Sequence, residues 1–213
     1  MAKGKLAFIV TAGPTREHLD PVRFLSNPST GKMGFAIAAE ASRRGARTVL
    51  VAGPVALKTP KGVCRTDVVS ARDMMRAVKE ARKALAGHEI VLVATAAVAD
   101  WRPKNCAAGK LKKTSMAPCI PLVRNPDILK ETKGVRKVGF AAETGKLLEE
   151  AARKCAEKGL EFIVANDVTV PGAGFGVDTN LASLVFPDGR VETLELMTKK
   201  KLAKRIVDEV FRS

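Results

Sequence analysis

Glu89-Ile90-Val91-Leu92-Val93-Ala94-Thr95 runs without a break into Ala96-Ala97-Val98-Ala99-Asp100. An unbroken apolar run rich in β-branched residues, with no polar alternation, predicts a strand buried on both faces. Such a strand belongs in the middle of a sheet. Working outward, residues 6–10, 48–52, 64–69, 137–140 and 161–165 read as further short strands. Helical patterns fill the intervals. Residues 33–44 are Ala-rich and end at Gly45, a residue suited to a helix C′ position. Ser70 caps a helix reaching about residue 85, with Asp73 at N3 as a capping-box variant. Residues 143–158 form another helix, ended by Gly159. Residues 182–186 and 190–196 flank Pro187-Asp188-Gly189, a hairpin signal, and residues 198–211 close the chain as an amphipathic helix.

Alternating strands and helices with continuous apolar strands mean an α/β fold: a Rossmann-like, mostly parallel sheet with helices on both faces and a C-terminal β-hairpin. The hairpin is expected to join the sheet edge or to serve a subunit contact. No repeat or composition break divides residues 1–213, so one domain is the expectation. Ligands in such folds gather beyond the carboxyl ends of the strands.

Composition narrows the function. No apolar run approaches the ~20 residues of a membrane-spanning helix, and the five apolar residues after Lys5 are too few for a signal-peptide core. Cys64, Cys106, Cys119 and Cys155 show no CxxC spacing, and only His18 and His88 accompany them, so no zinc site can be assembled. Free thiols in a reducing cytoplasm are expected. The net charge of +15 points to an anionic partner. One Trp, no Tyr and eight Phe are a poor supply of stacking platforms, which argues against single-stranded nucleic acid. Nucleotides and phosphorylated metabolites suit the charge. The run Lys199-Lys200-Lys201 reads as a solvated helix face.

Several segments at predicted strand ends could carry chemistry. Thr11-Ala12-Gly13-Pro14-Thr15-Arg16-Glu17 follows the first strand, as a ligand loop or a plain turn; it lacks the glycines of the GxGxxG fingerprint. Ser26-Asn27-Pro28-Ser29-Thr30-Gly31-Lys32-Met33-Gly34 leads into the first helix. Met33 stands where a Walker A motif needs Ser or Thr, so a P-loop is rejected. Hydroxyls and free N–H groups at a helix start still make an anion site, and Ser29 or Thr30 could also cap the helix. Beyond Ala94-Thr95-Ala96, Asp100 could hold a ribose hydroxyl or a metal ion, or cap a turn. Gly109-Lys110-Leu111-Lys112-Lys113 could close over a polyphosphate or be a solvated loop. Asn125-Pro126 reads as an N-cap with Pro at N1, ahead of Asp127-Ile128-Leu129. Gly139-Phe140-Ala141-Ala142-Glu143-Thr144 and Val164-Ala165-Asn166-Asp167-Val168 end two more strands. Gly172, Gly174 and Gly176 resemble a nucleotide loop, but they follow a Pro in irregular chain and read rather as a turn.

Residues 11–17, 20–23, 26–34, 96–100, 110–113, 125–128, 139–144 and 165–168 occur in the order of, and resemble, bacterial phosphopantothenate–cysteine ligases, from about Leu6 to the C-terminus. The resemblance implies a ligase that joins 4′-phosphopantothenate to L-cysteine. CTP with Mg²⁺ first gives an acyl cytidylate and pyrophosphate; the cysteine amine then displaces CMP. It implies nucleotide contacts at Ala94, Thr95, Ala96, Asp100, Lys110, Pro126, Asp127, Ile128, Leu129, Phe140, Lys154 and Lys158. Lys154 and Lys158, at i and i+4, could face one ligand. Asn27 is implied in the cytidylate-to-amide step, Lys110 in charge neutralisation, and Gly13, Ser29, Thr30, Gly31 and Lys32 in a substrate or phosphate loop. Mg²⁺ is expected through the nucleotide phosphates, with no protein ligand assigned. Trp101 stands where the family can carry Tyr, and Pro28-Ser29-Thr30 varies the loop after Asn27. In many bacteria this unit is the C-terminal half of a bifunctional protein whose other half is a flavin-dependent decarboxylase. No flavin is expected in this chain, and a separate decarboxylase is a possible partner. A cytoplasmic homodimer binding neither nucleic acid nor membrane is implied. The competing readings are an ATP-using ligase of the same family and a non-catalytic Rossmann-like module for nucleotides or RNA.

Overall fold

The computed structural model describes residues 5–112, 119–143, 147–167, 170, 173–174 and 176–213. Lys113, Thr144, Val168 and Gly172, named above, lie outside the described residues. The elements are β1 (Leu6–Ala12), β2 (Arg16–His18), β3 (Phe24–Ser26), α1 (Lys32–Arg43), β4 (Arg47–Ala52), β5 (Val63–Asp67), α2 (Ala71–Ala84), β6 (Glu89–Ala94), β7 (Trp101–Pro103), β8 (Leu122–Arg124), α3 (Ile128–Glu131), β9 (Arg136–Glu143), α4 (Leu147–Lys158), β10 (Phe162–Asp167), β11 (Thr179–Asn180), β12 (Ala182–Val185), β13 (Val191–Thr193), β14 (Met197–Thr198) and α5 (Lys199–Arg212).

Eight strands form one sheet in the order β13-β12-β10-β9-β6-β1-β4-β5. The pairs from β10 through β5 are parallel, while β12 and β13 add an antiparallel edge. The hairpin therefore joins the sheet. The apolar strand β6 lies inside, between β9 and β1, as its sequence requires. Alternate residues of β1 feed two cores, because side chains of a strand point to opposite faces. Phe8 and Val10 pack with Ile37, Leu202 and Ile206 of α1 and α5. Ala7 and Ile9 pack with Met74 and Val78 of α2. A third cluster seats Ala151 and Cys155 of α4 on Ile163 and Ala165. Helices thus cover both faces. No helix among the described residues is long and apolar enough to cross a membrane.

The helix signals hold where they are local. Ser70 and Asp73 close a reciprocal capping box on α2, and Gly45 takes a φ of 83° after α1. Other boundaries differ. The helix expected from residue 143 starts at Leu147, because β9 stays paired to β10 as far as Glu143 opposite Asp167. The cap of α3 is Asp127, whose side chain accepts from the Lys130 N–H; Asn125 is instead pinned outside it, donating to the Ala99 carbonyl at 2.8 Å. Neither Ser29 nor Thr30 caps α1. Its N-cap is Gly31 in the left-handed region, at φ 76°, with no side-chain cap bond.

Gly34 is the point where α1 meets the sheet. A Cβ there would fall 2.5 Å from Ala12 Cβ, 2.5 Å from Thr95 Oγ1 and 3.1 Å from the Thr11 carbonyl oxygen. Gly34→Ala gains about 1 kcal/mol of helix propensity but overpacks this contact by more. The expected net loss is about 1–2 kcal/mol, seen as a melting temperature lower by roughly 3–6 °C. An unchanged melting temperature would mean that α1 is not seated this closely on the strand ends.

Candidate functional site

Because β1, β6, β9 and β10 are parallel, their carboxyl ends emerge at one edge, where the described residues after β1 and β6 meet. The loops after β1 and β6 are zipped together. Thr95 Oγ1 donates to the Thr11 carbonyl at 2.6 Å, Ala97 N–H to the Gly13 carbonyl at 2.9 Å, and Ala99 N–H to Thr15 Oγ1 at 3.0 Å. Asn27 is drawn onto the same seam, its Nδ2 donating to the Ala97 carbonyl at 3.2 Å. Ser26 Oγ donates to the Thr15 carbonyl at 2.8 Å and anchors the start of the Asn27 loop.

Two cavities open from this edge. The first, about 580 Å³, is lined by Asn27, Ser29 to Lys32, Thr95, Ala96, Asp100, Phe140 and Lys154, and is closed by Asn166, Gly174, Gly176, Asn180 and Lys199. The second, about 520 Å³, is lined by Ala94, Ala96, Asp100, Trp101, Asn125 to Leu129, Phe140 and Lys158. Ala96, Val98, Asp100 and Phe140 line both, so the two are compartments of one groove. A wider groove of about 1000 Å³ runs along α2 beside Arg72, Arg76 and Lys83, with only Arg124 to Pro126 in common with the second cavity. The chemistry belongs at the strand ends, where backbone groups, amides and a carboxylate converge.

Most residues singled out by sequence come together here, with two exceptions. Gly13 lies behind the wall, its carbonyl fixing Ala97. Lys110 is exposed and lines neither cavity. Its neighbour Leu111 is moored, however. The Leu111 N–H donates to Asp20 Oδ2 at 3.2 Å, and Arg23 Nη2 donates to the Leu111 carbonyl at 3.0 Å. The Asp20 side chain is fully buried and paired with Arg23, which holds its carboxyl well below the usual range.

The cations are committed differently from one another. Lys32, expected to meet phosphate, donates to Asp178 Oδ1 at 2.7 Å and to the Gly176 carbonyl at 3.0 Å, tying the glycine segment to α1. Lys154 and Lys158 line separate cavities, and Lys158 pairs with Asp127 Oδ2 at 2.9 Å. Burial pushes the Asp127 carboxyl up, but the Lys130 N–H and Lys158 outweigh it, and its pKa falls below the ordinary value. Lys199 corrects the reading of residues 199–201 as a solvated face: it is 8% exposed and lines the first cavity. Gly174 and Gly176 are likewise more than a turn, since they form part of the cavity wall. Asn180 and Lys199 carried no site role in the sequence, and Asn166 only as part of the strand-end segment 164–168, because the three come from separate elements and share no spacing. Among the described residues no group of three or more His, Cys, Asp or Glu could hold a metal.

A family model described as the DNA/pantothenate metabolism flavoprotein C-terminal domain matches residues 3–213. The coenzyme A biosynthesis bifunctional protein CoaBC of Bacillus subtilis is 45% identical over 207 residues, covering 95% of this chain and 50% of that protein. CoaBC of Escherichia coli is 44% identical over 213 residues, covering 96% and 51%. The chain thus spans about half the length of these relatives. The crystal structure of a CoaBC C-terminal domain superposes with a TM-score of 0.79 at 42% identity, covering 98% of this chain and 94% of that one.

Asp127 offers a test of the second cavity's wall. Asp127→Asn keeps the cap on α3, whereas Asp127→Ala loses it at a cost of about 1 kcal/mol. Because the folded pKa is depressed, the stability contributed by the carboxylate is present above the unfolded pKa and is lost as pH falls through the folded value. Melting curves from pH 8 to 3 are expected to show a constant gap between wild type and Asp127→Ala down to about pH 4, closing below it. A gap that widens in acid would contradict the assignment.

Proposed function

The chain belongs to the DNA/pantothenate metabolism flavoprotein C-terminal domain family, and from that premise we propose that it joins 4′-phosphopantothenate to L-cysteine through an acyl cytidylate formed from CTP. The observation that carries this reading is the pair of adjoining cavities at the strand ends. One wall is built from the 94–100 and 126–129 segments, suited to a nucleoside, and the other from the Asn27 loop and the start of α1, suited to an acyl group and phosphates. The match to one half of proteins named for coenzyme A biosynthesis supports it.

In the first step a carboxylate oxygen of phosphopantothenate attacks the α-phosphorus of CTP and pyrophosphate leaves. Two anions must approach, so neutralisation and positioning are the protein's tasks. The start of α1, whose first-turn N–H groups favour anions, lines the first cavity, and Lys154 and Lys158 of α4 line the first and second cavity respectively, each with Phe140. Lys110 would act from the segment moored at Leu111. Mg²⁺ would travel on the triphosphate and withdraw charge from it. Asp100 suits an outer contact to it, since Asp127 is occupied by the Lys130 N–H and Lys158. In the second step the cysteine amine attacks the acyl carbon, CMP departs with the carboxyl oxygen it acquired, and the amine loses a proton. Asn27, held by Ala97, would orient the acyl group for that attack.

A homodimer fits an exposed apolar surface on β2–β3 and β7–β8, where Val22, Phe24, Trp101 and Leu122 are each at least 40% exposed. The hairpin β12–β13 is joined to the sheet through β12, which pairs with β10. A decarboxylase partner, fused or separate, would supply the flavin chemistry.

Pyrophosphate release with each of the four nucleoside triphosphates, plus phosphopantothenate and cysteine, tests the reading. CTP is expected to exceed ATP in kcat/KM by at least roughly tenfold, the scale of a pocket that rejects a larger base by sterics. Equal values would overturn the nucleotide choice. Release that never depends on phosphopantothenate would overturn the ligase.

A further inference from the structure

Lys199 begins α5 and is buried beside the first cavity, with no carboxylate among the described residues in bonding contact. Its ammonium donates to the Asn180 Oδ1 at 2.5 Å, the Thr179 carbonyl at 3.0 Å and the Gly174 carbonyl at 3.3 Å. All three of its protons are used, so it has none left for a ligand. Burial lowers its pKa, with Lys32 adding to the effect. A buried cation satisfied only by neutral oxygens is costly, and it fixes the direction of whatever it touches.

The direction propagates. An ammonium cannot accept a hydrogen bond, so the corner of the Asn180 amide facing it must be the oxygen. The Asn180 Nδ2 then points the other way and donates to Asn166 Oδ1 at 2.5 Å. The oxygen of Asn166 is thereby committed. Its Nδ2 has no partner among the described residues, and Asn166 lines the cavity at the end of β10. Without the ammonium, the two amides could turn together and present a carbonyl instead.

We propose that Lys199 and Asn180 are positioning residues: they lock the Asn166 amide so that an N–H donor, not an acceptor, faces the anionic ligands of the cavity. The CTP-affinity and activity arms of the test rest on the function proposed above; the melting and amide-protection arms do not. A donor aimed at a phosphate or carboxylate oxygen favours the ligand, whereas a carbonyl in its place repels it.

Asn180→Asp separates this role from mere support. The new carboxylate still accepts from Lys199, so the glycine segment stays tied to α5, but it cannot donate to Asn166. The Asn166 amide must turn its Nδ2 to the carboxylate. The expected result is a melting temperature at or above wild type, with CTP affinity by calorimetry and kcat/KM for pyrophosphate release each lower by roughly tenfold or more. NMR reads the turn directly. In wild type the side-chain amide protected from exchange is that of Asn180; in the variant it is that of Asn166. Asn166→Asp is the second variant, and it decides the matter should Asn180→Asp fail to fold. It keeps the acceptor for Asn180 and removes only the cavity-side donor, so the Asn180 amide stays protected while CTP affinity falls to the same degree. Wild-type affinity in Asn166→Asp, or an Asn180→Asp protein that folds with full activity and an unprotected Asn166 amide, would overturn the proposal. A wild-type protein that releases no pyrophosphate would defeat the functional reading alone, and the amide protection pattern would still decide the relay.

Discussion

The parallel pairing of β1 with β6, and of β6 with β9, is the constraint on which the rest depends. Parallel strands send their carboxyl ends the same way, so Ala12, Ala94 and Glu143 end their strands at one edge. Hydrogen bonds from the 95–99 backbone to Thr11, Gly13 and Thr15 then fix the loops after β1 and β6 against each other. The contact needs small residues. Ala96, Ala97 and Ala99 bring backbone to backbone, and Gly34 lets α1 come down on the same place. The Asn27 loop has no regular structure of its own, and it takes its position from this seam.

The far wall is built by a different principle. Two ammonium groups, Lys32 from α1 and Lys199 from α5, hold it: Lys32 bonds the Gly176 carbonyl, and Lys199 bonds those of Gly174 and Thr179. Helices α1 and α5 pack on the same face of the sheet. The wall is therefore tied to the packing of the core. The strong positive charge of the sequence is partly explained in this way. Some of it builds the site and is not offered to ligands.

Legibility followed the range of the interactions. The β6 strand was readable because burial on both faces demands an unbroken apolar run. The α2 start was readable because Ser70 and Asp73 satisfy each other three residues apart. The ribbons β2–β3, β7–β8 and β11–β14 were not, since strands of two or three residues carry no period. Asn125 looked like a cap because Pro126 follows it, but tertiary bonds to Ala99 and Arg102 claimed it, and the cap passed to Asp127. Lys199 sits in a run of like residues whose sequence looks solvated; only the fold shows that the first of the three turns inward. The resemblance drew together residues 27–32, 94–100, 126–129, 140, 154 and 158, which the structure places along one groove. It gave no hint of Asn180 or Lys199, whose partners are backbone carbonyls, one another and the Asn166 amide.

The central claim is that a substrate carboxylate attacks the α-phosphorus of CTP at this edge of the sheet. The most direct measurement follows an oxygen atom. Phosphopantothenate labelled with ¹⁸O in its carboxylate is turned over with CTP and cysteine, and the products are read by mass spectrometry. The account predicts a single ¹⁸O in CMP and the other retained in the amide product. Label in pyrophosphate or inorganic phosphate, with CMP unlabelled, would contradict it.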